Sequence, residues 1–139
     1  MDIWEKLYLE AKKHYYPLEL NPFIYSNNVV CALETTSGKI FSGFCVESCC
    51  GVMDLCAERV AALNMYVNSG ETKIKRLIVF KSNPPKNGSI LPCGACLECL
   101  LQLDYQNKET EIMYDYESRQ VVKLKELLPN WWGEVRYNN

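Results

Sequence analysis

Two short stretches of this chain hold residues whose types and spacing could do chemistry: LCAERV at 55–60 and LPCGACLECL at 91–100. Cys93 and Cys96 form a C-x-x-C pair around a glycine. Such a pair can grip one zinc ion with two thiolates. It can equally be a redox pair at the start of a helix that follows a strand, and the pair by itself does not choose. Cys56 adds a third thiol. It opens one expected helix, as Cys93 and Cys96 open another, and helix N-termini stabilise anions and lower thiol pKa values. Three protein ligands leave a tetrahedral zinc with one open position, the mark of a catalytic site. A water held there has its pKa lowered towards neutrality. Glu58 lies two residues beyond Cys56, and a carboxylate beside such a metal, but not bound to it, can take a proton and pass it to a leaving group.

The elements that must position these residues follow from periodicity. Ile3, Trp4, Leu7, Tyr8 and Ala11 recur at helical spacing and predict a helix to about residue 15. Two prolines in YYPLELNPF break it. VVCALE and KIFSGFCVE, rich in β-branched and aromatic residues, predict a hairpin turning at Gly38. Cys56, Val60, Leu63 and Val67 predict a helix from about Leu55 to Gly70. RLIVF is a continuous apolar run, as expected of a strand covered on both faces. KSNPPKNGSI is expected to be a loop. A helix follows the PCGAC turn, EIMYD and QVVKL are the last expected strands, and KLKELLPNWW ends in a short helix stopped by Pro129. The order α-β-β-α-β-α-β-β-α implies one sheet covered by helices on both sides.

Length and composition set limits on partners. The 139 residues fit one domain over 1–139, with 48% apolar and 23% charged residues and a formal net charge of -2. Basic residues are scattered, which argues against a nucleic-acid surface. No apolar run is long enough to span a membrane. MDIWEKLYLE has no uninterrupted apolar core and is not expected to be a secretory leader. An intracellular location follows, cytoplasmic by expectation, where thiols stay reduced. The eight cysteines are therefore expected to bind metal, to act in catalysis or to be buried.

The composite Cys56-Ala57-Glu58 followed by Pro92-Cys93-Gly94-Ala95-Cys96 matches the signature of zinc deaminases. With SGKIFSG, CAERVAAL, LPCGACLECL and LKELLP, the chain resembles the small three-cysteine cytidine deaminases and the related blasticidin S deaminases. The resemblance implies a three-layer α/β/α fold around a mixed five-stranded sheet. It implies hydrolytic replacement of an exocyclic amine by oxygen on a cytidine-like nucleoside or related heterocycle, with release of ammonia. It also implies Zn²⁺ on Cys56, Cys93 and Cys96, a proton shuttle at Glu58, and substrate orientation by the Ala57 carbonyl and the Cys93 N–H. Arg59 would offset the excess negative charge of three thiolates by hydrogen-bonding the sulfurs. A homotetramer acting on a small molecule is the implied assembly.

The chain departs from the family at the substrate. The cytidine enzymes carry N-x-E ahead of the C-A-E motif to bind ribose; here Cys45 stands at the asparagine and Glu47 at the glutamate. A thiol does not donate and accept as an amide does. Leu97-Glu98 replaces the usual R-Q, and NNVVCA replaces an aromatic-and-glycine pattern on the first strand. The spacing from Cys45 to Cys56 is that of the cytidine enzymes rather than of the shorter blasticidin loop. The other cysteines, at 31, 45, 49, 50 and 99, read mainly as small buried residues. Cys99 is also a candidate fourth ligand, which would close the metal site and favour a non-catalytic zinc-binding relative. His14 lies far from the motifs. Trp131 and Trp132 are expected in the core or over the pocket.

Overall fold

The computed structural model describes residues 1–81 and 90–137. Helix α1 (Ile3–Lys12) is capped by Asp2, whose carboxylate accepts the Glu5 N–H at 2.7 Å. It ends earlier than residue 15 because His14 and Tyr15 make tighter i−3 bonds, to Ala11 and Lys12. The stretch between the two prolines is extended, and Leu18–Glu19 form a two-residue strand, β1. Strands β2 (Ile24–Thr35) and β3 (Ile40–Ser48) are the expected hairpin. Gly38 takes the turn at φ +94°, a conformation that excludes most side chains. Next come α2 (Ala57–Ser69), β4 (Ile74–Lys81), α3 (Gly94–Leu103), β5 (Glu111–Asp115), β6 (Gln120–Lys123) and two four-residue helices, α4 (Leu124–Leu127) and α5 (Glu134–Tyr137). The expected loop KSNPPKNGSI falls largely at 82–89, outside the described residues.

The sheet is mixed. Strand β2 is flanked by β3 and β4, both antiparallel; β4 and β5 run parallel, and β6 returns antiparallel. Among the described residues one short strand, β1, is added to the five expected, pairing Leu18 with Ser26. Alternation along the strands makes the three layers. Val30, Ala32, Ile78, Phe80 and Met113 face α1 and meet Trp4, Leu7, Tyr8 and Ala11. Their neighbours Cys31, Leu33, Leu77, Val79 and Ile112 face the opposite way, onto α2 and α3. Burial of Leu7, fully removed from water, contributes about 2 kcal/mol. Among the described residues no helix is long and apolar enough to cross a membrane.

Two contacts set the helices that matter for the site. Helix α2 lies so close to β3 that a Cβ on Gly43 would sit 2.6 Å from the Ala61 nitrogen and 3.0 Å from the Ala57 oxygen. The buried face of α2 is accordingly made of Ala57, Glu58, Ala61, Ala62 and Met65. Of the apolar positions that announce this helix, Leu63 and Val67 are exposed, while Val60 is half-buried with its Cβ against Gly43 of β3. Helix α3 is tied to β4 by buried Asn107, which accepts from the Ile74 N–H and donates to the Thr72 and Leu100 carbonyls at 2.8–2.9 Å.

Candidate active site

Cys56 is the N-cap of α2 and Cys93 the N-cap of α3, with Cys96 in the first turn of α3. The helix therefore begins inside the PCGAC motif rather than after it. Sγ of Cys56 lies 3.8 Å from Sγ of Cys93, which lies 3.6 Å from Sγ of Cys96, and all three sulfurs fall within 4.8 Å of one another. A tetrahedral zinc with Zn–S bonds of about 2.3 Å sets its sulfurs about 3.8 Å apart, so this donor set fits the ion. The cysteines are all free thiols. Among the described residues Cys99 stands outside the group, which leaves three candidate ligands.

The charges around the cluster have separate causes. Burial pushes the Cys93 thiol up, but the backbone N–H groups of Cys96 and Ala95 and the two neighbouring thiols outweigh it and leave the group below its ordinary value. Burial, then the Glu58 and Cys56 charges, push the Cys96 thiol up, so a metal must displace that proton. Arg59 places Nη2 3.5 Å from the Cys56 sulfur, and this contact holds the guanidinium firmly protonated. Glu58 is only 4% exposed. Burial raises its carboxyl above the ordinary carboxylate value, more than its own backbone N–H, Arg59 and Cys96 lower it.

A cleft of about 240 Å³ opens over this cluster. Cys45, Glu47, Cys56, Ala57, Glu58 and Cys93 line it. Every candidate contact read from the sequence is therefore on its wall, with Cys96 and Arg59 beside it. One neighbour was not legible from the motifs: Asn28, whose Oδ1 is 2.7 Å from Cys45 Sγ and whose Nδ2 is 3.4 Å from Glu47 Oε1. The available signal was a pair of asparagines inside a strand, where asparagine is depleted.

The remaining candidates separate. Cys31 is buried against α2, where burial and the Glu58 charge hold its thiol well up. Cys49 and Cys50 are exposed, not buried as expected, because the chain turns outward at Ser48 into a 3-10 turn at Gly51–Met53. His14 pairs with Ser42 at 2.8 Å, away from the sulfurs. Trp131 packs against the core, and the indole N–H groups of Trp131 and Trp132 both donate to Glu98 at 2.9–3.0 Å. That bridge accounts for a carboxylate at position 98; neither indole lines the cleft.

Known proteins can now be set beside this geometry. No protein-family model matches the chain. A cytidine deaminase from Mycobacterium tuberculosis superposes with a TM-score of 0.74 at 23% identity, covering 96% of this chain and 99% of that one. One from Burkholderia pseudomallei does so with a TM-score of 0.70 at 24% identity, covering 95% of this chain and all of the other. The fold is thus that of the cytidine deaminases. In sequence, a cytidine deaminase of Mycoplasma genitalium is 30% identical over 128 residues, 92% of this chain and 91% of that protein. A probable cytidine deaminase of Dictyostelium discoideum is 40% identical over 65 residues, 47% of this chain and 42% of that protein. The chain belongs to the cytidine deaminase family.

Proposed function

We propose that this protein is a zinc-dependent hydrolytic deaminase that converts the exocyclic amine of cytidine, or of a closely related nucleoside, to a carbonyl and releases ammonia. The observation that carries the reading is a buried Glu58 on the wall of a cleft, beside a group of three cysteine sulfurs spaced as a tetrahedral zinc would need. Cys56, Cys93 and Cys96 would hold zinc, which when bound supplies a Lewis acid that makes water nucleophilic near neutral pH. Glu58 takes one proton from the water that attacks C4 and passes it to the ring nitrogen. It then takes the proton of the new C4 hydroxyl and passes it to the amine, so that the C4–N bond breaks as the C4–O bond becomes a carbonyl and ammonia leaves. Its raised pKa suits it to hold a proton between those transfers. Ala57 and the Cys93 N–H, both on the cleft wall, orient the amide edge of the substrate. Arg59 withdraws charge from the Cys56 sulfur. Glu47, with Cys45 beneath it, faces the sugar.

Ammonia release over a panel of cytidine, deoxycytidine, cytosine and blasticidin S tests the reading. Turnover of cytidine, lost by at least a thousandfold in Glu58→Ala, is expected; equal rates in the two proteins would sink the proposal. A homotetramer is the assembly proposed. Leu63, Tyr66 and Val67 on α2, with Val52 and Met53 before it, are exposed apolar side chains that a second copy would cover. Sedimentation equilibrium of the zinc-loaded chain is expected to give four copies, and a monomer at micromolar concentration would end that part of the reading. Three thiols at the centre of the chemistry suit a reducing compartment, which supports a cytoplasmic location, and deamination of a cytidine-like nucleoside fits a role in pyrimidine salvage.

A further inference from the structure

The hairpin of β2 and β3 is irregular beside the cleft. Ser26 pairs with Val46 and Val30 with Phe44, so Cys45 alone on β3 faces Asn27, Asn28 and Val29 on β2. Bulges of this kind re-aim side chains next to active sites. Asn27 absorbs the extra length at φ +65°, the left-handed region that asparagine tolerates better than most residues. It is pinned there: its Nδ2 donates to the His14 carbonyl at 2.8 Å, and its Oδ1 accepts from Ser26 Oγ at 2.7 Å.

This distortion brings the Asn28 carboxamide to two residues of the cleft wall. A carboxylate only accepts, so the group 3.4 Å from Glu47 Oε1 is the amide nitrogen. Oδ1 then faces Cys45 at 2.7 Å, which makes the Cys45 thiol the donor. Cys45, 5% exposed, is thus committed to Asn28. Glu47 is exposed on the cleft wall, and the amide has a second N–H. A carboxamide N–H beside a carboxylate can read a hydroxyl from both sides, donating to its oxygen and accepting its proton.

We infer that Asn28, oriented by Cys45 and paired with Glu47, determines specificity by binding a sugar hydroxyl of the substrate. The amide missing from position 45 of β3 is supplied from the neighbouring strand, and Cys45 is a positioning residue rather than a ligand contact. The inference rests on the nucleoside deaminase reading for its ligand class, and its test is built on binding so that the two can fail separately.

The zinc-loaded full chain is titrated calorimetrically with uridine and with 2′,3′-dideoxyuridine, neither of which has an amine to lose. The wild type is expected to bind uridine the more tightly. Asn28→Ala and the isosteric Asn28→Asp, which replaces the donors by an acceptor and sets a second carboxylate beside Glu47, are each expected to weaken uridine roughly five- to tenfold and to leave dideoxyuridine within about twofold. Cys45→Ser keeps a donor to Oδ1 and is expected to hold uridine within about threefold of wild type. Equal weakening of both ligands by the Asn28 variants, no weakening, or a wild type that does not distinguish the ligands would overturn the inference. Ammonia from cytidine without that distinction removes the role of Asn28 alone. Selective uridine binding without ammonia from cytidine removes the deaminase reading and leaves Asn28 in place.

Discussion

At Glu58, burial and chemistry pull in opposite directions. Its carboxyl titrates above its ordinary 4.5 in the folded protein because burial disfavours the charge. The unfolded chain has the ordinary value, so folding is penalised where both forms are ionised, above the folded pKa. The penalty fades as pH falls through that pKa and is gone below the unfolded one. The zinc-free Glu58→Gln protein is therefore expected to melt above the zinc-free wild type at pH 7, with the gap closing as pH falls towards 4.5. A gap that widens in acid would contradict the burial argument. Arg59 belongs to the same scale. Its contact to the Cys56 sulfur is charge-assisted, and Arg59→Gln is expected to lower kcat roughly tenfold or more while zinc, measured by atomic absorption, stays bound.

Helix α2 and helix α3 each depend on one residue of another element. Gly43 lets α2 approach β3, and with it the N-cap at Cys56. Gly43→Ala puts a methyl 2.6 Å from the Ala61 nitrogen, so the helix must move. A loss of about 2 kcal/mol in urea unfolding and a larger loss of activity are expected, since the displaced element carries Cys56 and Glu58. Asn107 does the corresponding work for α3. Asn107→Ala leaves a buried donor at Ile74 and buried acceptors at Thr72 and Leu100 without partners. The expected cost is about 3 kcal/mol, read from the same unfolding curves. A wild-type midpoint in either variant would show that the strand–helix contact is looser than described.

Zinc held by Cys56, Cys93 and Cys96 would couple metal to fold, because their sulfurs sit at the starts of two separate helices that the sheet brings together. Zinc that binds the folded chain alone adds about 1.4 kcal/mol for each tenfold rise of free ion above its dissociation constant. Thermal unfolding under a chelator is expected to fall below that of the zinc-loaded protein, and Cys93→Ser is expected to abolish the difference. The two halves of the sulfur group were legible along the chain, because C-A-E and P-C-G-A-C are local: each falls within a single helix start, where spacing and capping decide geometry. The layers were legible too, from the unbroken apolar run of β4, which is buried on both faces. The direction of α2 was not. Leu63 and Val67, which announce the helix, face outward, since the close approach at Gly43 brings Ala57 and Ala61 rather than the longest apolar side chains to β3. Nor was Asn28 legible, because it meets residues 17 and 19 positions away through a bulge whose register the chain chooses only on pairing. Spacing within a few residues determines which groups stand together at a helix start; contacts between strands depend on register, and register is set by the packing of the whole sheet.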